Sequence, residues 1–394
     1  MEKHVYLDNN ATTMVAPEAV EAMLPFFGDK YGNASSMHFF GGRVAKDLEK
    51  ARHQVAMLLG AEHDFEITFT GSATESDNLA IRGITSYLKD KKHVITSTVE
   101  HPAVLNLCKQ LEKEGFRVTY VPVTGEGIVD VAALKMAVDE ETAIVSIMHA
   151  NNETGVINPV EEIGAFLKPL NIPFHVDGVQ AAGKIPVDVN KIQCDLYSIS
   201  AHKFHGPKGI GALYVRKGTR MRPMLFGGHQ EKGRRPGTEN APGIVGMGVA
   251  AELAIKHLAD MPRVAKLRDR LQQGILNSIK TSSVNGSIEL RTPNTLNISF
   301  EYIEGESILL YLDRKGVYIS TGSACATGSL EPSHVLRAMN LPFSQIHGSI
   351  RFSLSRYTTE DEIDYTLSVL PEVIDTLLKI SPFWDNEKQV GKIF

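Results

Sequence analysis

The 394-residue chain has the composition of an ordinary globular protein, with 43% hydrophobic and 22% charged residues. Its net charge of −5 gives no positive field that would favour nucleic acid or an anionic membrane. The 3 cysteines contain no C-x-x-C pair, which argues against zinc and disulfide frameworks and fits a reducing compartment. We find no secretory signal pattern and no apolar run long enough to span a bilayer, so we expect a cytoplasmic protein that binds neither nucleic acid nor membrane.

Predicted strands and helices alternate through the first part of the chain. A loop of small polar residues at 31–36 precedes a helix at 42–59 with apolar residues at helical spacing. Apolar runs predict strands at 66–70, 93–97, 117–121, 143–148, 174–176, 196–199 and 212–215, and helices are predicted at 74–89, 102–113, 131–138 and 160–167. This alternation is typical of an α/β fold with a mostly parallel sheet and helices on both faces.

The pattern changes after a long helical stretch at 241–280. This stretch is interrupted near Pro262, which we take as a helix break and as the hinge between two domains. Beyond it, strands at 295–300, 317–320 and 349–353 and helices at 304–314 and 359–380 predict a smaller α+β domain. We therefore expect a large domain at 14–260 and a small domain made of 1–13 and 261–394.

Ligands of such a sheet bind beyond the carboxyl ends of the strands, so the polar residues after each strand are the candidates for a site. Gly71, Ser72 and Glu75 form a glycine turn into a helix N-terminus, which suits an anion and equally suits an ordinary cap. His101 follows the next strand as a ring that can stack on a flat cofactor, although a lone histidine is more often structural.

The later strands end in an amide pair, an acid and a lysine. The asparagines at 151–152 precede a glycine three positions on, which suits ligand recognition or a turn. Asp177 directly follows an apolar strand, where a carboxylate needs a cationic partner or a helix to cap. Lys203 follows Ser200 and His202 at the end of a buried strand, an unusual place for a solvated charge unless the side chain snorkels.

Together these strand ends supply a phosphate cup, a stacking ring, an acid and a lysine, which is the set that a pyridine aldehyde phosphate needs. The lysine holds the aldehyde, the acid keeps the ring nitrogen protonated, and the helix N-terminus holds the phosphate. Two nucleotide-binding motifs are excluded. The glycines at 246–251 match a dinucleotide-binding fingerprint but lie inside a helical pattern, and the segment 206–209 lacks the Walker A spacing. His202 and His205 lack further ligands at metal-site spacing, so we expect no metal site.

The sequence resembles the cysteine desulfurases of the nitrogen-fixation and iron–sulfur-assembly type. These belong to the class V aminotransferases, which are fold type I pyridoxal-phosphate enzymes, and the segment from Ser200 to Lys203 looks like the class V lysine signature. The segments similar to the desulfurases are Tyr-Leu-Asp-Asn-Asn-Ala-Thr-Thr at 6–13, Gly-Asn-Ala-Ser-Ser at 32–36, Ala-Thr-Glu-Ser-Asp-Asn at 73–78, Val-Glu-His at 99–101, His-Ala-Asn-Asn-Glu at 149–153 and Arg-Pro-Gly-Thr at 235–238. The similarity runs from about Val5 to about Tyr357.

Cys325 separates this family from its relatives. Burial is the commoner fate of a cysteine, but the Gly, Ser, Thr and Ala around Cys325 predict an exposed loop from which a thiol can reach a substrate. The resemblance implies that Cys325 carries a persulfide, that the long loop marks the iron–sulfur-assembly branch, and that Cys325 can transiently share a cluster with a scaffold partner. We expect Cys108 and Cys194 to be structural.

The resemblance also implies a role for each matching residue. Lys203, His101 and Cys325 are the expected catalytic residues, and Arg351, Asn152 and Asn33 are expected to bind the substrate. Pyridoxal 5′-phosphate is expected to be anchored covalently by Lys203. Its ring is expected to contact Asp177 at the nitrogen, Gln180 at the hydroxyl, His101 stacked on one face and Asn152 beside it. Its phosphate is expected to be bound by Ala73, Thr74, Ser200 and His202 and, across a homodimer, by Thr238.

The implied reaction converts L-cysteine to L-alanine and leaves a persulfide on Cys325. The persulfide would donate its outer sulfur to an iron–sulfur scaffold or to another sulfur-acceptor protein, and the sulfur would serve cluster assembly or tRNA thiolation. Two alternatives stay open: a selenocysteine lyase or another class V enzyme, and a catalytically silent sulfur-assembly scaffold. The long cysteine loop argues against a transaminase, and the joint presence of Lys203, Asp177 and Cys325 argues against the silent scaffold.

Overall fold

A computed structural model describes residues 3–321, 332–385, 387 and 390–391 of the chain. Its strands are Val5–Tyr6 (β1), Ile67–Thr70 (β2), His93–Ser97 (β3), Arg117–Val121 (β4), Thr142–Met148 (β5), Phe174–Asp177 (β6), Leu196–Ser200 (β7), Gly211–Val215 (β8), Ser282–Val284 (β9), Thr295–Phe300 (β10), Val317–Tyr318 (β11), Ser320–Thr321 (β12), Ser349–Ser353 (β13), Trp384–Asp385 (β14) and Val390–Gly391 (β15). Its α-helices are Pro17–Met23 (α1), Phe39–Leu59 (α2), Ala73–Tyr87 (α3), Pro102–Lys113 (α4), Val131–Ala137 (α5), Val160–Leu167 (α6), Val189–Ile192 (α7), Ala241–His257 (α8), Met261–Ser278 (α9), Gly305–Arg314 (α10), His334–Ala338 (α11), Phe343–His347 (α12) and Glu360–Ile380 (α13). In the described part of the chain, no helix combines the length and apolar character needed to cross a membrane.

Seven strands form the large sheet, in the order β2-β8-β7-β6-β5-β3-β4. β8 runs antiparallel to both of its neighbours, and all other neighbouring strands are parallel. Every residue of β5, β6 and β7 is buried. These strands are covered on both faces, which is why they are continuous apolar runs rather than alternating ones. The structure confirms the predicted α/β class with a mostly parallel sheet.

The two faces of the large sheet pack against different helices. Successive side chains of a strand point to opposite faces, so in β7 Leu196 joins a cluster with α3 and α4, whereas Tyr197 and Ile199 join a cluster with α2, α6 and α8. Cys108 lies in the first cluster and Cys194 in the second, both as buried free thiols. The sheet is thus a rigid central layer whose carboxyl-end edge is open to polar residues.

A second, antiparallel sheet has the order β12-β13-β10-β9. Its core is filled from α9, α10 and α13, and also by Val5 and Leu7 from the start of the chain. β1 pairs in parallel with β11, and Asp8 forms a bridge with Ser353 in β13. The N-terminal strand is therefore built into the core of the second half of the chain, in the sense predicted, while the domain bounds at 14 and 260 stay a prediction.

Three departures from the sequence prediction have identifiable reasons. α2 begins at Phe39 rather than at 42, because the His38 ring accepts a hydrogen bond from the Gly41 N–H and caps the helix. The predicted strand at 317–320 divides into β11 and β12, which pair with different strands. Pro262 does not break a helix, because it lies in the first turn of α9, where its missing N–H costs nothing; the interruption is the 3-10 turn Leu258–Asp260.

Candidate active site

The carboxyl ends of neighbouring strands bring the predicted residues to one edge of the large sheet. In the sheet register Met148 pairs with Asp177, and Asp177 pairs with Ser198. Lys203 lies in the 3-10 turn Ala201–Lys203 directly after β7, and His101 caps α4 after β3. Parallel strands end at the same edge, so these side chains are collected there by topology alone.

The amine of Lys203 is held by the N-terminal segment of the chain. Its Nζ donates to the carbonyl oxygens of Asn10 at 2.6 Å and Ala11 at 2.9 Å. His202, in the same turn, fixes this segment: its carbonyl accepts from the Thr13 N–H at 2.9 Å, and its ring Nδ1 is hydrogen bonded to Thr12 Oγ1 at 3.1 Å. The lysine that the sequence singles out is therefore positioned by backbone oxygens that lie far from it in sequence.

Asp177 is a carboxylate with 5% of its surface exposed. One of its oxygens accepts a hydrogen bond from the Val179 N–H at 3.0 Å. Burial, and to a lesser degree the charge of Asp77, raise the pKa of the Asp177 carboxyl to about 7, against the opposing effect of Lys203. A bound cation with an N–H donor would relieve this cost, and a protonated ring nitrogen is such a group.

His101 is a neutral ring with a defined tautomer. Its Nδ1 accepts a hydrogen bond from the Ala103 N–H at 3.1 Å, so the ring proton is on Nε2. Burial, followed by the positive charge of Lys203, lowers the pKa of His101 to about 4. At neutral pH this ring offers an uncharged stacking surface and a donor at Nε2.

The N-terminus of α3 is the position at which the sequence predicts an anion cup. Ser72 caps the helix, since its Oγ accepts from the Glu75 N–H at 3.2 Å. Ala73 and Thr74 open the first turn, and Thr74 lines a cavity of about 480 Å³ together with His101. Backbone N–H groups at a helix start attract an anion, so this position suits a phosphate.

Two contacts fix the shape of this cup. Gly211 in β8 pairs with Ser200, and a Cβ at Gly211 would lie 2.9 Å from the backbone nitrogen of Ala73, so the strand approaches the helix as only glycine permits. Arg235 Nε donates to Glu75 Oε1 at 2.8 Å, and the other Glu75 oxygen accepts from the Gly71 N–H at 2.7 Å. The carboxylate of Glu75 thus bonds Gly71 rather than closing the capping box that its spacing predicts.

Arg351 lies in the middle of β13 with 2% of its surface exposed. Its Nη1 donates to the Asn152 carbonyl at 3.0 Å, and its Nη2 donates to Asp8 Oδ1 at 2.7 Å. Its Nε is buried and makes no hydrogen bond to any described residue. A guanidinium that is fixed at two nitrogens and unpaired at the third suits a small anion such as a carboxylate. The neighbouring Asn151 uses its side chain to build the turn, by accepting from two backbone N–H groups.

Gln180 belongs to the same buried network, because its Nε2 donates to the Asn10 carbonyl at 3.0 Å. Two other predicted residues, Asn33 and Thr238, are not joined to it. The hydrogen bonds described for Asn33 come from Ser35 and Ser36 and build a local turn, and Thr238 is exposed. Cys325 lies outside the described residues. The role of each predicted site residue stays a prediction.

Three residues that hydrogen bond the predicted site residues were missed by sequence reasoning. Asn10 bonds Lys203 and Gln180, Asp8 bonds Arg351, and Lys184 bonds Gln180. Asp8 and Asn10 lie in the segment at 6–13 that carries the resemblance, so their presence there was a signal. Lys184 had none, because a lysine after Ala-Ala-Gly has no pattern that distinguishes it from a surface residue.

Comparisons with known proteins agree with this geometry. The family profile "Aminotransferase class-V" matches residues 5–366. A curated cysteine desulfurase of Trichormus azollae is 56% identical over 384 residues, covering 97% of this chain and 96% of the relative. The cysteine desulfurase NifS of Azotobacter vinelandii is 51% identical over 394 residues, covering 99% and 98%. The solved structure of a NifS-like protein superimposes with a TM-score of 0.90 at 43% identity, covering 95% of this chain and 100% of that one. The chain belongs to the cysteine desulfurases of the class V aminotransferase family.

Cysteine desulfurases of class V use pyridoxal 5′-phosphate, and the chain's residues fit this cofactor. Asp177 is a buried carboxyl that needs a cationic N–H partner, and the start of α3 offers backbone donors to a phosphate. Lys203 lies between them on the same sheet edge. These residues would hold the ring nitrogen, the phosphate and the aldehyde respectively.

Asp177→Asn is expected to stabilise the cofactor-free protein, by an amount that grows with pH. The folded-state pKa of about 7 exceeds the unfolded value of about 3.9. The native state therefore binds this proton more tightly, and wild-type stability falls as pH rises between the two values. Since the amide does not titrate, its advantage should grow up to about pH 7, reach on the order of 2 to 4 kcal/mol, and then level off. Urea unfolding at several pH values measures this difference.

Asp375→Asn is the matched control, because Asp375 is exposed on α13. It should leave the free energy of unfolding nearly unchanged at every pH. A stabilisation by Asp177→Asn that does not vary with pH would contradict the assignment of a buried, titrating carboxyl.

Proposed function

We propose that the chain binds L-cysteine between Arg351 and Lys203, moves the substrate sulfur to Cys325 as a persulfide and releases L-alanine. The observation that carries this proposal is the juxtaposition of three groups: the Lys203 amine, the buried carboxyl of Asp177 and the unpaired Nε of Arg351. When bound, pyridoxal phosphate supplies an aldehyde that links to amines and a ring that stores the electron pair released from the substrate.

Arg351 orients the substrate by its carboxylate. Because Nη1 and Nη2 are fixed by Asn152 and Asp8, the direction in which Nε donates is also fixed. The ion pair with Asp8 is largely buried, with the side chains of Arg351 and Asp8 3% and 20% exposed. A carboxylate arriving at Nε would therefore be bound at a preorganised donor, with Asn152 beside it.

Lys203 moves the substrate proton. Its Nζ is the amine that would accept the proton from the substrate Cα. The carbonyl oxygens of Asn10 and Ala11 hold this amine at the sheet edge. Asp177 would hold the ring nitrogen of the cofactor, and His101 would cover the ring as a neutral surface.

The segment that contains Cys325 is anchored at the site on both flanks. Before it, Ser320 pairs with Arg351 in the small sheet. After it, Ser333 Oγ donates to Glu153 Oε2 at 2.5 Å, and His334 Nε2 is hydrogen bonded to the carbonyl of Glu100, the residue before His101, at 2.9 Å. Cys325 is the fourth residue after Thr321, and a chain spans at most about 3.5 Å per residue, or about 14 Å here. These anchors support a thiol within reach of the substrate.

The sulfur step balances with the groups named. The Cys325 thiolate attacks the sulfur of the bound cysteine, so that a sulfur–sulfur bond forms and the carbon–sulfur bond breaks. The electron pair of the broken bond stays with the substrate carbon, which takes up a proton and becomes the methyl group of alanine. The outer sulfur then passes to an acceptor thiolate, which we propose belongs to an iron–sulfur scaffold or a tRNA-thiolating protein in the cytoplasm.

We propose further that the active form is a homodimer. Large apolar side chains are exposed on segment 24–39 and on the loop before Arg235, among them Phe39 at 82% and Phe226 at 88%. Arg235 ties that loop to Glu75 at the phosphate cup, and Thr238 follows it on the surface. A second copy would cover the apolar residues and could receive Thr238 at its own cup.

Cys325→Ser is expected to keep the visible absorption of the bound cofactor and to lose sulfide release. The hydroxyl cannot replace the thiolate as nucleophile, so turnover of L-cysteine should fall on the order of a thousandfold or more. Sulfide and alanine are measured in the presence of a reductant. Cys108→Ala, which removes a buried thiol on α4, should retain activity; full activity in Cys325→Ser would show that another group is the nucleophile.

Lys203→Ala is expected to abolish the absorption band of the lysine-linked cofactor and, with it, sulfide release. The substitution removes the amine at the sheet edge while the phosphate cup and Asp177 stay in place. Absorbance spectra of protein reconstituted with pyridoxal phosphate measure the effect. Lys208→Ala, at an exposed lysine in the following turn, serves as control, and an unchanged band in Lys203→Ala would place the anchor elsewhere.

Phe226→Asp is expected to convert a dimer of 43.2 kDa chains into monomers and to weaken cofactor retention, because Thr238 could no longer reach the partner's phosphate. Light scattering coupled to size exclusion measures the mass. Phe383→Asp changes a half-exposed apolar residue elsewhere on the small domain and should remain a dimer. A wild-type protein that elutes as a monomer would contradict the proposal.

A further inference from the structure

Lys184 is a lysine buried beside the site, with 7% of its surface exposed. Its Nζ donates to Asn10 Oδ1 at 3.1 Å and to the side-chain oxygen of Gln180. Burial, followed by the charges of Lys203 and Arg351, holds the pKa of its ammonium well below the usual value. The amine has two cationic neighbours, Lys203 and Arg351, and only amide oxygens as acceptors, so its burial destabilises the fold. A buried group of this kind points to a function.

The contact with Lys184 sets which way the Gln180 amide points. Lys184 Nζ donates to the amide oxygen of Gln180, so this oxygen faces Lys184 and the amide nitrogen faces away from it. On that side Nε2 donates to the Asn10 carbonyl at 3.0 Å, the oxygen that also accepts from Lys203 Nζ at 2.6 Å. The last torsion of a glutamine is broad and roughly two-fold, so without Lys184 both orientations of the amide become accessible.

A small cavity borders the Lys184 side chain. It has a volume of about 30 Å³, and its lining, which is mostly apolar, includes Lys184, Lys203, Asn9 and Asn294. This volume holds about one water molecule, and these polar residues can hydrogen bond it.

We propose that Lys184 is a positioning residue, which acts through Gln180 so that a nitrogen donor rather than an oxygen faces the cofactor beside Lys203. This inference rests on the proposed function, in which Gln180 contacts the ring hydroxyl. A donor stabilises the ionised hydroxyl, whereas an oxygen would repel it. Lys184 itself touches neither cofactor nor substrate in this scheme.

The test is a pH titration of the visible absorbance of the holoenzyme. In Lys184→Met the Gln180 amide loses the contact that fixes it, so the ionised ring hydroxyl loses donor strength. The titration midpoint is expected to rise by at least about half a pH unit. Lys184→Arg keeps a head group that only donates and should keep the wild-type midpoint, as should Lys191→Met, at an exposed lysine on α7.

A double-mutant cycle separates positioning from mere structural support. Gln180→Met should raise the midpoint by itself, and adding Lys184→Met to it should have no further effect, since the amide to be oriented is gone. A structural role would instead lower the melting temperature in both backgrounds and leave the midpoint alone. A wild-type midpoint in Lys184→Met, or a shift that persists in the Gln180→Met background, overturns the proposal.

Should Lys184→Met not fold, Lys184→Gln replaces it, because its amide can present an oxygen to the Gln180 nitrogen and so favour the reversed orientation. The same upward shift is expected, and an unshifted midpoint in that variant also overturns the proposal. A wild-type protein that develops no visible band with pyridoxal phosphate contradicts the proposed function itself, before the orientation of Gln180 is tested.

Discussion

Asn10 uses every polar group that it has, and the geometry of the site depends on this saturation. Its backbone N–H donates to Ser353 Oγ, and its side-chain nitrogen donates to the Asn152 carbonyl and to Thr295 Oγ1. Its side-chain oxygen accepts from Lys184 and Asn294, and its backbone carbonyl accepts from Gln180 and Lys203. Asn10 is 2% exposed, so a lost partner would leave a buried polar group unsatisfied, at a cost of about 1–3 kcal/mol. Through its backbone and its side chain, Asn10 thereby ties the small sheet, the turn at Asn152 and Lys203 to one another.

Three carboxyl groups, those of Asp77, Glu100 and Asp177, are buried in the part of the chain that forms the large sheet. Burial raises the pKa of Asp77 and Asp177 to about 7 and that of Glu100 to about 8. Asp77 Oδ1 and Glu100 Oε2 make no hydrogen bond to any described residue. Such an arrangement lowers the stability of the cofactor-free protein and raises its affinity for a cationic ring. The same buried carboxyl groups thus favour cofactor binding and lower the free energy of unfolding of the cofactor-free protein.

The sequence was sufficient for the sheet and for the residues at its edge. The strands β3 and β4 and the helix α4 have the predicted bounds, because apolar runs and a Pro at a helix start leave little choice. Lys203, Asp177 and His101 share an edge because parallel strands end together. Local patterns did not show the long-range contacts of Asn10 with Lys203 and of Asp8 with Arg351. They also did not mark Lys184, which contacts Gln180 four residues before it. Pro262 was misjudged because a proline reads as a helix breaker unless the start of the next helix is known.

The incorporation of the N-terminal strand into the second sheet also bears on how the protein is made. Asn10 and Ser353, which are hydrogen bonded, are 343 positions apart. Ribosomes add about 5–20 residues per second, so Asn10 waits roughly 20 to 70 seconds for this partner. The large sheet, with Lys203 and Asp177, has no such dependence and can form while the rest is still being translated. Cofactor capture in its final geometry is therefore an event that follows translation, and a nascent chain with a finished sheet still lacks the contacts that anchor Asn10 to the second sheet.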